Sequence, residues 1–500
     1  MSTYASEVSN DQAIPETDLS SVLVTRGHFT KEAVGNLLRT ILGEEQFLRL
    51  RDAHVDNRMV FGINPHYLAL ALGVGMQDET GSTILPKMPP SRPLIALVIP
   101  NEDETHDLSG EQDPSNQGRY SPGCLSGKII HKYDEIVLGH TALACSAHCR
   151  YCYRLDLFNR STGKSLVRPE ELRDYVIQHN LRVLQCDSAK LDHSERRHPI
   201  SEILLSGGDP MILSNNRLYG YLEAAAQAGV DIVRIGTKEI VFRPERFDNN
   251  LIETLRIFHR NYPNIRIIFV FHITHPDEFL ERTGDGRYTS SSGWPARNKW
   301  LTIVEEAILA LKQFNFVSLE NQTAIIRRVN DDVGALHLLH KELHHKGIKL
   351  QYTFQCREIE GHKSFAVPVE TSWKIHNESQ RGLSGLARSR FVLSTEWGKL
   401  EVVGMTNDQS TSTAMASPDT RVSSDSRLPV GCIVFKVHRS PGSAETLGEL
   451  IIARQNPKAL WISGYEDRIL YDGRRRQSNC DNSSGSDNDQ GRGSDGTDPP

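Results

Sequence analysis

Residues 135–154 read EIVLGHTALACSAHCRYCYR: an apolar run of strand character that ends in three cysteines, Cys145, Cys149 and Cys152, spaced C-x3-C-x2-C. Downstream of it the same rhythm repeats. EILLSG (202–207), DIVRIGT (231–237), IRIIFVFHIT (265–274), VSLENQTAII (317–326) and IKLQYTFQ (348–355) are short runs rich in β-branched and aromatic residues, the pattern of buried strands. Between them lie amphipathic stretches such as NNRLYGYLEAAAQAG and WLTIVEEAILALKQF, which predict helices. Strands alternating with helices argue for parallel βαβ units. About six are visible, fewer than the eight of a closed barrel. No internal repeat is present.

The flanks read differently. Residues 1–25 are polar and predict a flexible arm. Residues 26–125 predict a cover of helices and loops, with helical spacing from His28 to Leu50 and again in FGINPHYLALALG (61–73). The α/β rhythm occupies 126–390. RFVLSTEWGKLEVVGM, GCIVFKVHR, LGELIIARQ and ALWISGYEDRILYDG then predict a small β-rich appendage over 391–475, interrupted by a polar linker (416–429). The last segment, 476–500, is rich in Ser, Asp and Gly and predicts disorder.

Composition narrows the function classes. The chain has 500 residues, 38% hydrophobic and 24% charged, with a formal net charge of −6, the profile of a soluble globular protein. The absence of a basic tract argues against nucleic acid as a partner. No apolar run is long enough to span a bilayer, and the start lacks a secretory pattern, so the expected location is the cytoplasm. Five of the eight cysteines (Cys124, Cys186, Cys356, Cys432 and Cys480) are scattered; three crowd together. In a reducing compartment such a crowd favours metal or redox chemistry over disulfides.

Three thiolates can ligate three irons of a cubane and leave the fourth iron open to chelate the amino and carboxylate groups of S-adenosylmethionine (SAM). A zinc site is the blander alternative, but zinc usually takes a fourth ligand from a second paired element, and none is present. ILLSGGDP (203–210) follows at a second strand end. Gly207 and Gly208 permit close backbone approach, and Asp209 can accept from an ammonium group. Downstream of the cysteines this fits a glycine-rich SAM-binding segment.

The segments FGINPHYLAL, IPNEDE, HKYDE, CSAHCRYCYR, EILLSGGDPMIL, RIGTKEIVFRPERF, FHITHPDEF, LENQTAIIRRVNDD, LQYTFQC and FVLSTEWGK resemble, in order, those of lysine 2,3-aminomutase and its relatives among the radical SAM enzymes. The resemblance covers roughly residues 55–405. It implies an α/β fold, a partial (β/α)6 radical SAM barrel with an N-terminal helical region and the C-terminal appendage. It also implies a [4Fe–4S] cluster, SAM and pyridoxal 5′-phosphate (PLP), and an isomerase that moves an amino group from C2 to C3 by way of a 5′-deoxyadenosyl radical. Cys145, Cys149 and Cys152 match the cluster ligands. Arg154 matches the arginine that pairs with the substrate carboxylate, and Lys399 falls at the PLP lysine. An electron donor such as flavodoxin or ferredoxin is implied, and family members tend to form homo-oligomers.

Departures from the family pattern concern substrate and PLP. One arginine at the phosphate end of PLP becomes Lys132; another aligns with Ile136. Only Gly398 precedes Lys399, where the family has a run of glycines. Two aspartates grip the distal ammonium of lysine in lysine-using members; Arg357 and Ser394 stand in their places. An acidic or neutral substrate is therefore expected instead of lysine, unless Arg357 turns outward or pairs with Glu358 or Glu360. Lysine 2,3-aminomutase proper, a relative modifying a peptide-bound lysine, a radical SAM enzyme without PLP, and a non-catalytic metal-binding protein remain the competing readings.

Overall fold

The computed structural model describes residues 25–27, 32–53, 61–101, 103–107, 109–111, 113, 115–154, 166–185, 198–292, 294–406, 431–441 and 446–475. Residues 1–24 of the N-terminal arm, the linker 416–429, the tail 476–500, Cys186 and Cys480 lie outside them.

Two small antiparallel pairs open the chain: β1 (Thr25–Gly27) with β2 (Phe61–Ile63), and β3 (Met76–Gln77) with β4 (Thr83–Leu85). The N-terminal cover is helical, as its spacing predicts, but broken. Gly43, at φ +81°, separates helix Glu32–Leu42 from helix Glu44–Ala53. In FGINPHYLALALG the first residues form β2, and the helix begins at Pro65, with Asn64 capping the backbone N–H of Tyr67. Proline at the first helical position costs no hydrogen bond, because that N–H has no partner within the helix.

The body is one sheet of twelve strands, in chain order from β5 at one edge to β16 at the other. β5 (Ile129–Tyr133) pairs antiparallel with β6 (Ile136–Ala142). Then β6, β7 (Glu202–Gly207), β8 (Ile232–Thr237), β9 (Arg266–Phe271), β10 (Val317–Ile325), β11 (Lys349–Gln355) and β12 (Arg390–Thr395) are mutually parallel. Each parallel step is made through helix: Pro169–Gln185, Asn215–Gln227, Asn249–Asn261, Thr302–Lys312, Val333–His345 and Val369–Ser379. Side-chain caps at Ser214, Asp248 and Asp332 set three of these helix starts.

The C-terminal β segment is not a separate appendage. β12 belongs to the parallel set, and β13 (Gly398–Met405), β14 (Cys432–Arg439), β15 (Leu450–Arg454) and β16 (Ile469–Asp472) continue the same sheet antiparallel. A hairpin turn at Glu396 and Trp397 separates the two strands within RFVLSTEWGKLEVVGM. Along the parallel strands, residues such as Ile203, Leu205, Val233, Ile235, Ile267 and Phe269 are buried in the core, while alternate positions face a cavity.

Candidate active site

The strand ends surround a cavity of about 390 Å³. Its wall contains Cys145, Cys149, Cys152, Arg154, Gly207, Gly208, Asp209, Lys132, Arg357, Ser394 and Lys399 together. These residues are spread from Lys132 to Lys399, so only the tertiary fold brings them to one place.

The cysteine loop is held from several directions. Gly208 and Asp209 donate backbone N–H groups to Ala142 and Ala144, each at 2.7 Å. The N–H of His148 reaches the carbonyl of Gly62 at 2.6 Å, and that of Arg150 the carbonyl of Leu97 at 2.8 Å. The Arg150 side chain, fully buried, pairs with fully buried Glu104 at 2.7 Å. Ser146 donates its N–H to Glu239 at 2.9 Å and its hydroxyl to the other oxygen of that carboxyl. None of the three cysteines is in a disulfide, and their thiols are partly open to the cavity. Burial pushes the thiol of Cys145 up, and that of Cys149 up to about 12. Such thiols ionise only against a strong cationic partner, as metal binding provides. Among the described residues no three His, Cys, Asp or Glu side chains are grouped to hold one metal ion. A cubane asks for something else, one thiolate on each of three irons, and one loop carrying three thiols toward a cavity fits that need.

The glycine segment has a reason visible in the packing. A Cβ on Gly207, at φ +117°, would lie 2.3 Å from the carbonyl oxygen of Ala142, and one on Gly208 2.3 Å from that of Ala144. These glycines let the β7 loop press against the backbone leading into the cysteines. Asp209 spends both oxygens on its own surroundings: Met211 N–H at 3.0 Å, Thr237 hydroxyl at 3.0 Å and Lys238 N–H at 2.7 Å. Acceptance from an ammonium, the role read from sequence, would have to use its remaining lone pairs.

Sequence reasoning passed over the polar floor beside the cysteines. Lys238 pairs with buried Glu278 at 2.6 Å and donates to the carbonyl of His272 at 2.7 Å. Glu278 also accepts from the Tyr67 hydroxyl at 2.7 Å. Burial would raise its carboxyl, but Lys238 and these hydrogen bonds outweigh it and hold it below the usual range. Tyr151 and His272 lie 2.6 Å apart; because His272 Nδ1 faces the carbonyl of Gln322 at 2.8 Å, Tyr151 donates to Nε2. Charged residues set inside apolar strand ends, in RIGTKEIVF and THPDEF, were the available signal.

Cations dominate the opposite wall. Arg154 donates to the Tyr153 hydroxyl and His140 Nε2, each at 3.0 Å. Arg357 turns into the cavity and donates to the Ser394 hydroxyl at 3.3 Å, while Glu358 pairs with Lys363 instead, at 3.0 Å. Both guanidiniums lie over the ring of Tyr153, Arg154 at 4.8 Å and Arg357 at 4.5 Å from its centre. Lys132 donates to the carbonyl of Thr395 at 2.5 Å. Lys399 sits 3.9 Å over the ring of Tyr352. Burial, then Arg357, lowers Lys132 to about 7; burial, then Arg439, Arg234 and Lys132, lowers Lys399 to about 7. No carboxylate pairs with Lys132, Arg154, Arg357 or Lys399 among the described residues. An amine that sheds its proton near neutrality fits the requirement for carbonyl capture, as PLP demands.

Curated relatives match much of the chain. A protein of Aquifex aeolicus, named provisionally as an L-lysine 2,3-aminomutase, is 28% identical over 385 residues, 76% of this chain and 84% of that protein. The glutamate 2,3-aminomutase of Clostridioides difficile is 23% identical over 346 residues, 69% of this chain and 67% of its own length. These similarities, to proteins named lysine and glutamate 2,3-aminomutases, support the family that the sequence resembles. The L-lysine 2,3-aminomutase of Methanococcus maripaludis is also similar, 25% identical over 299 residues, 59% of this chain and 58% of its own. No protein-family model matches. Among solved structures the chain is similar to QR15, an aldolase, at a TM-score of 0.22 and 10% identity, covering 45% of this chain and 84% of that one; so slight a likeness carries no argument. No helix among the described residues is long and apolar enough to cross a membrane.

Proposed function

We propose that this chain is an amino-acid 2,3-aminomutase, an isomerase that uses a [4Fe–4S] cluster, SAM and PLP, and that its substrate carries a second carboxylate. One observation carries the reading: the three-cysteine loop and Lys399, far apart in sequence, face a single cavity whose wall also holds Lys132, Arg154 and Arg357, none of them paired with a carboxylate among the described residues. We read the sheet, one face of whose parallel strands lines that cavity, as a partial (β/α)6 barrel.

Bound there, the cluster with SAM would supply radical chemistry, and PLP would supply an electron-delocalising π-system. The chain's own work is placement. Cys145, Cys149 and Cys152 would hold the cluster, with Ser146 fixed by Glu239. Gly207, Gly208 and Asp209 shape the SAM side. Lys399, lowered to about 7 by burial and neighbouring cations, would offer its amine to PLP. Arg154 takes the α-carboxylate of the substrate, and Arg357, held by Tyr153 and Ser394, takes the distal one. A guanidinium fork suits a carboxylate bidentately. Lysine's ammonium would meet Arg357 in a largely desolvated space, where like charges repel by several kcal/mol, in order of magnitude. The glutamate 2,3-aminomutase among the relatives is in keeping with that preference.

Function of this kind needs a one-electron donor such as flavodoxin or ferredoxin, and it belongs in the cytoplasm. Anaerobic incubation with SAM, PLP, reductant and a panel of lysine, glutamate, aspartate and alanine tests the proposal. Conversion of an acidic amino acid to its β-isomer is the expected result. A clear preference for lysine would refute the substrate assignment, and SAM cleavage without PLP dependence would refute the cofactor assignment.

A further inference from the structure

Ile136 stands where the family pattern has a second cation at the phosphate end of PLP, and it lines the cavity. The sheet brings a different cation to the same wall. In the pairing of β13 with β14, Arg439 lies opposite Lys399. The approach is close enough to require glycine beside the lysine: a Cβ on Gly398, at φ +109°, would lie 1.9 Å from the carbonyl oxygen of Arg439. The guanidinium of Arg439 then lies 4.0 Å over the ring of Tyr133, at the end of β5. One of its nitrogens pairs with Glu135, which is partly exposed. Arg234, from β8, completes the group and pairs with Glu202. Arg439, Tyr133 and Arg234 all line the cavity.

Two polar atoms here lack a hydrogen-bond partner among the described residues, although both are buried: the Tyr133 hydroxyl and Nε of Arg234. Buried donors of this kind are costly unless an acceptor arrives. Two guanidiniums and an orphan hydroxyl next to a lysine amine suit a dianion with several acceptor oxygens.

We propose that Arg439, with Arg234 and Tyr133, forms the subsite that seats the phosphate of PLP beside Lys399, so that the C-terminal strands supply the charge that Ile136 lacks. The inference rests on the reading that Lys399 holds PLP. It makes β14 part of the cofactor site, and it accounts for the glycine before the lysine as the residue that permits the close approach of β14.

The test compares PLP with pyridoxal, which has the aldehyde but no phosphate, in binding titrations and borohydride trapping on the full chain. Wild type should prefer PLP strongly. Arg439→Ala should weaken PLP binding by about 30-fold or more, the low end for truncating one partner of a buried charge pair, while pyridoxal, which has no phosphate to lose a contact, weakens far less, by no more than the easier protonation of Lys399 accounts for. Arg439→Lys should restore part of the preference. Glu135→Gln removes the ion pair but keeps the guanidinium, and should keep the preference; it separates loss of the ion pair from loss of the phosphate contact. Equal losses of PLP and pyridoxal in Arg439→Ala, or no loss of either, would overturn the subsite alone. Failure of wild type to bind PLP at all would overturn both the subsite and the PLP assignment under it.

Discussion

The cysteine end of the cavity and the lysine end are built in contrasting ways. At the cysteine end, charges are paired inside the protein: Arg150 with Glu104, Lys238 with Glu278, and Glu239 turned onto Ser146. Backbone hydrogen bonds from the segments around Gly62, Leu97 and Gly208 fix the loop. At the lysine end, Lys132, Arg154, Arg357 and Lys399 face the same space without carboxylate partners among the described residues. Burying unpaired charge is expensive, and a fold keeps it only where something compensates. The first end is therefore electrostatically complete without a ligand. The second, on the reading proposed above, is half of an electrostatic arrangement whose other half is anionic.

Removing a cluster ligand breaks the contrast most completely. Cys149→Ala should abolish iron–sulfur loading and SAM cleavage, read as iron content and 5′-deoxyadenosine formed. Cys356 lines the same cavity but lies outside the loop, so Cys356→Ala should retain its iron. Loss of iron in both variants would mean that the ligand set is larger than the three-cysteine loop.

Lys399→Ala acts on the other end. It should lose the borohydride-reducible PLP chromophore and keep the visible absorption of the cluster, because the two ends share a cavity but no residue. A surviving chromophore would place PLP on another amine, and Lys132 is then the first to replace.

The two ends also differ in how readily sequence reveals them. The cysteine spacing is local, so one short segment after an apolar run carried the candidate ligands. The parallel strands were equally legible, because continuous apolar runs between amphipathic helices leave few other folds. The hairpin turn at Glu396 and Trp397 and the continuation of the sheet through β16 were not legible, since strand pairing beyond a hairpin is a long-range matter. Arg439 illustrates the loss. Nothing in FKVHRS marks it, and its meaning comes only from its register against Lys399. Arg357 was found by its departure from the family pattern, and the structure then supplied what the pattern lacked: its direction, and the Tyr153 ring it shares with Arg154.

Arg357→Ala sharpens the comparison within the cationic wall. Loss of one charged contact to a buried carboxylate should lower kcat/KM for an acidic substrate by about 100-fold, with alanine little affected. Arg154→Ala should lower kcat/KM for every substrate, since all carry the α-carboxylate. Equal losses across the panel in both variants would show that Arg357 does not read the distal group.

The smallest effect is a shift in pH. Lys399 is lowered to about 7 by burial and by Arg439, Arg234 and Lys132, whereas an unperturbed lysine titrates near 10.4. Only the neutral amine attacks an aldehyde. The rate of PLP capture by the apoprotein should therefore rise about tenfold per pH unit below 7 and level off above it, where an ordinary lysine would keep rising to beyond pH 10. Stopped-flow absorbance across pH 5.5–9 gives the midpoint, and a rate still climbing at pH 9 would show an unperturbed amine. Removing a neighbouring cation makes the protonated form easier to hold. Lys132→Gln should consequently move the midpoint upward, whatever it does to the amplitude, and a midpoint that stayed put or fell would mean that desolvation alone, and not the crowd of cations, sets the reactivity of this lysine.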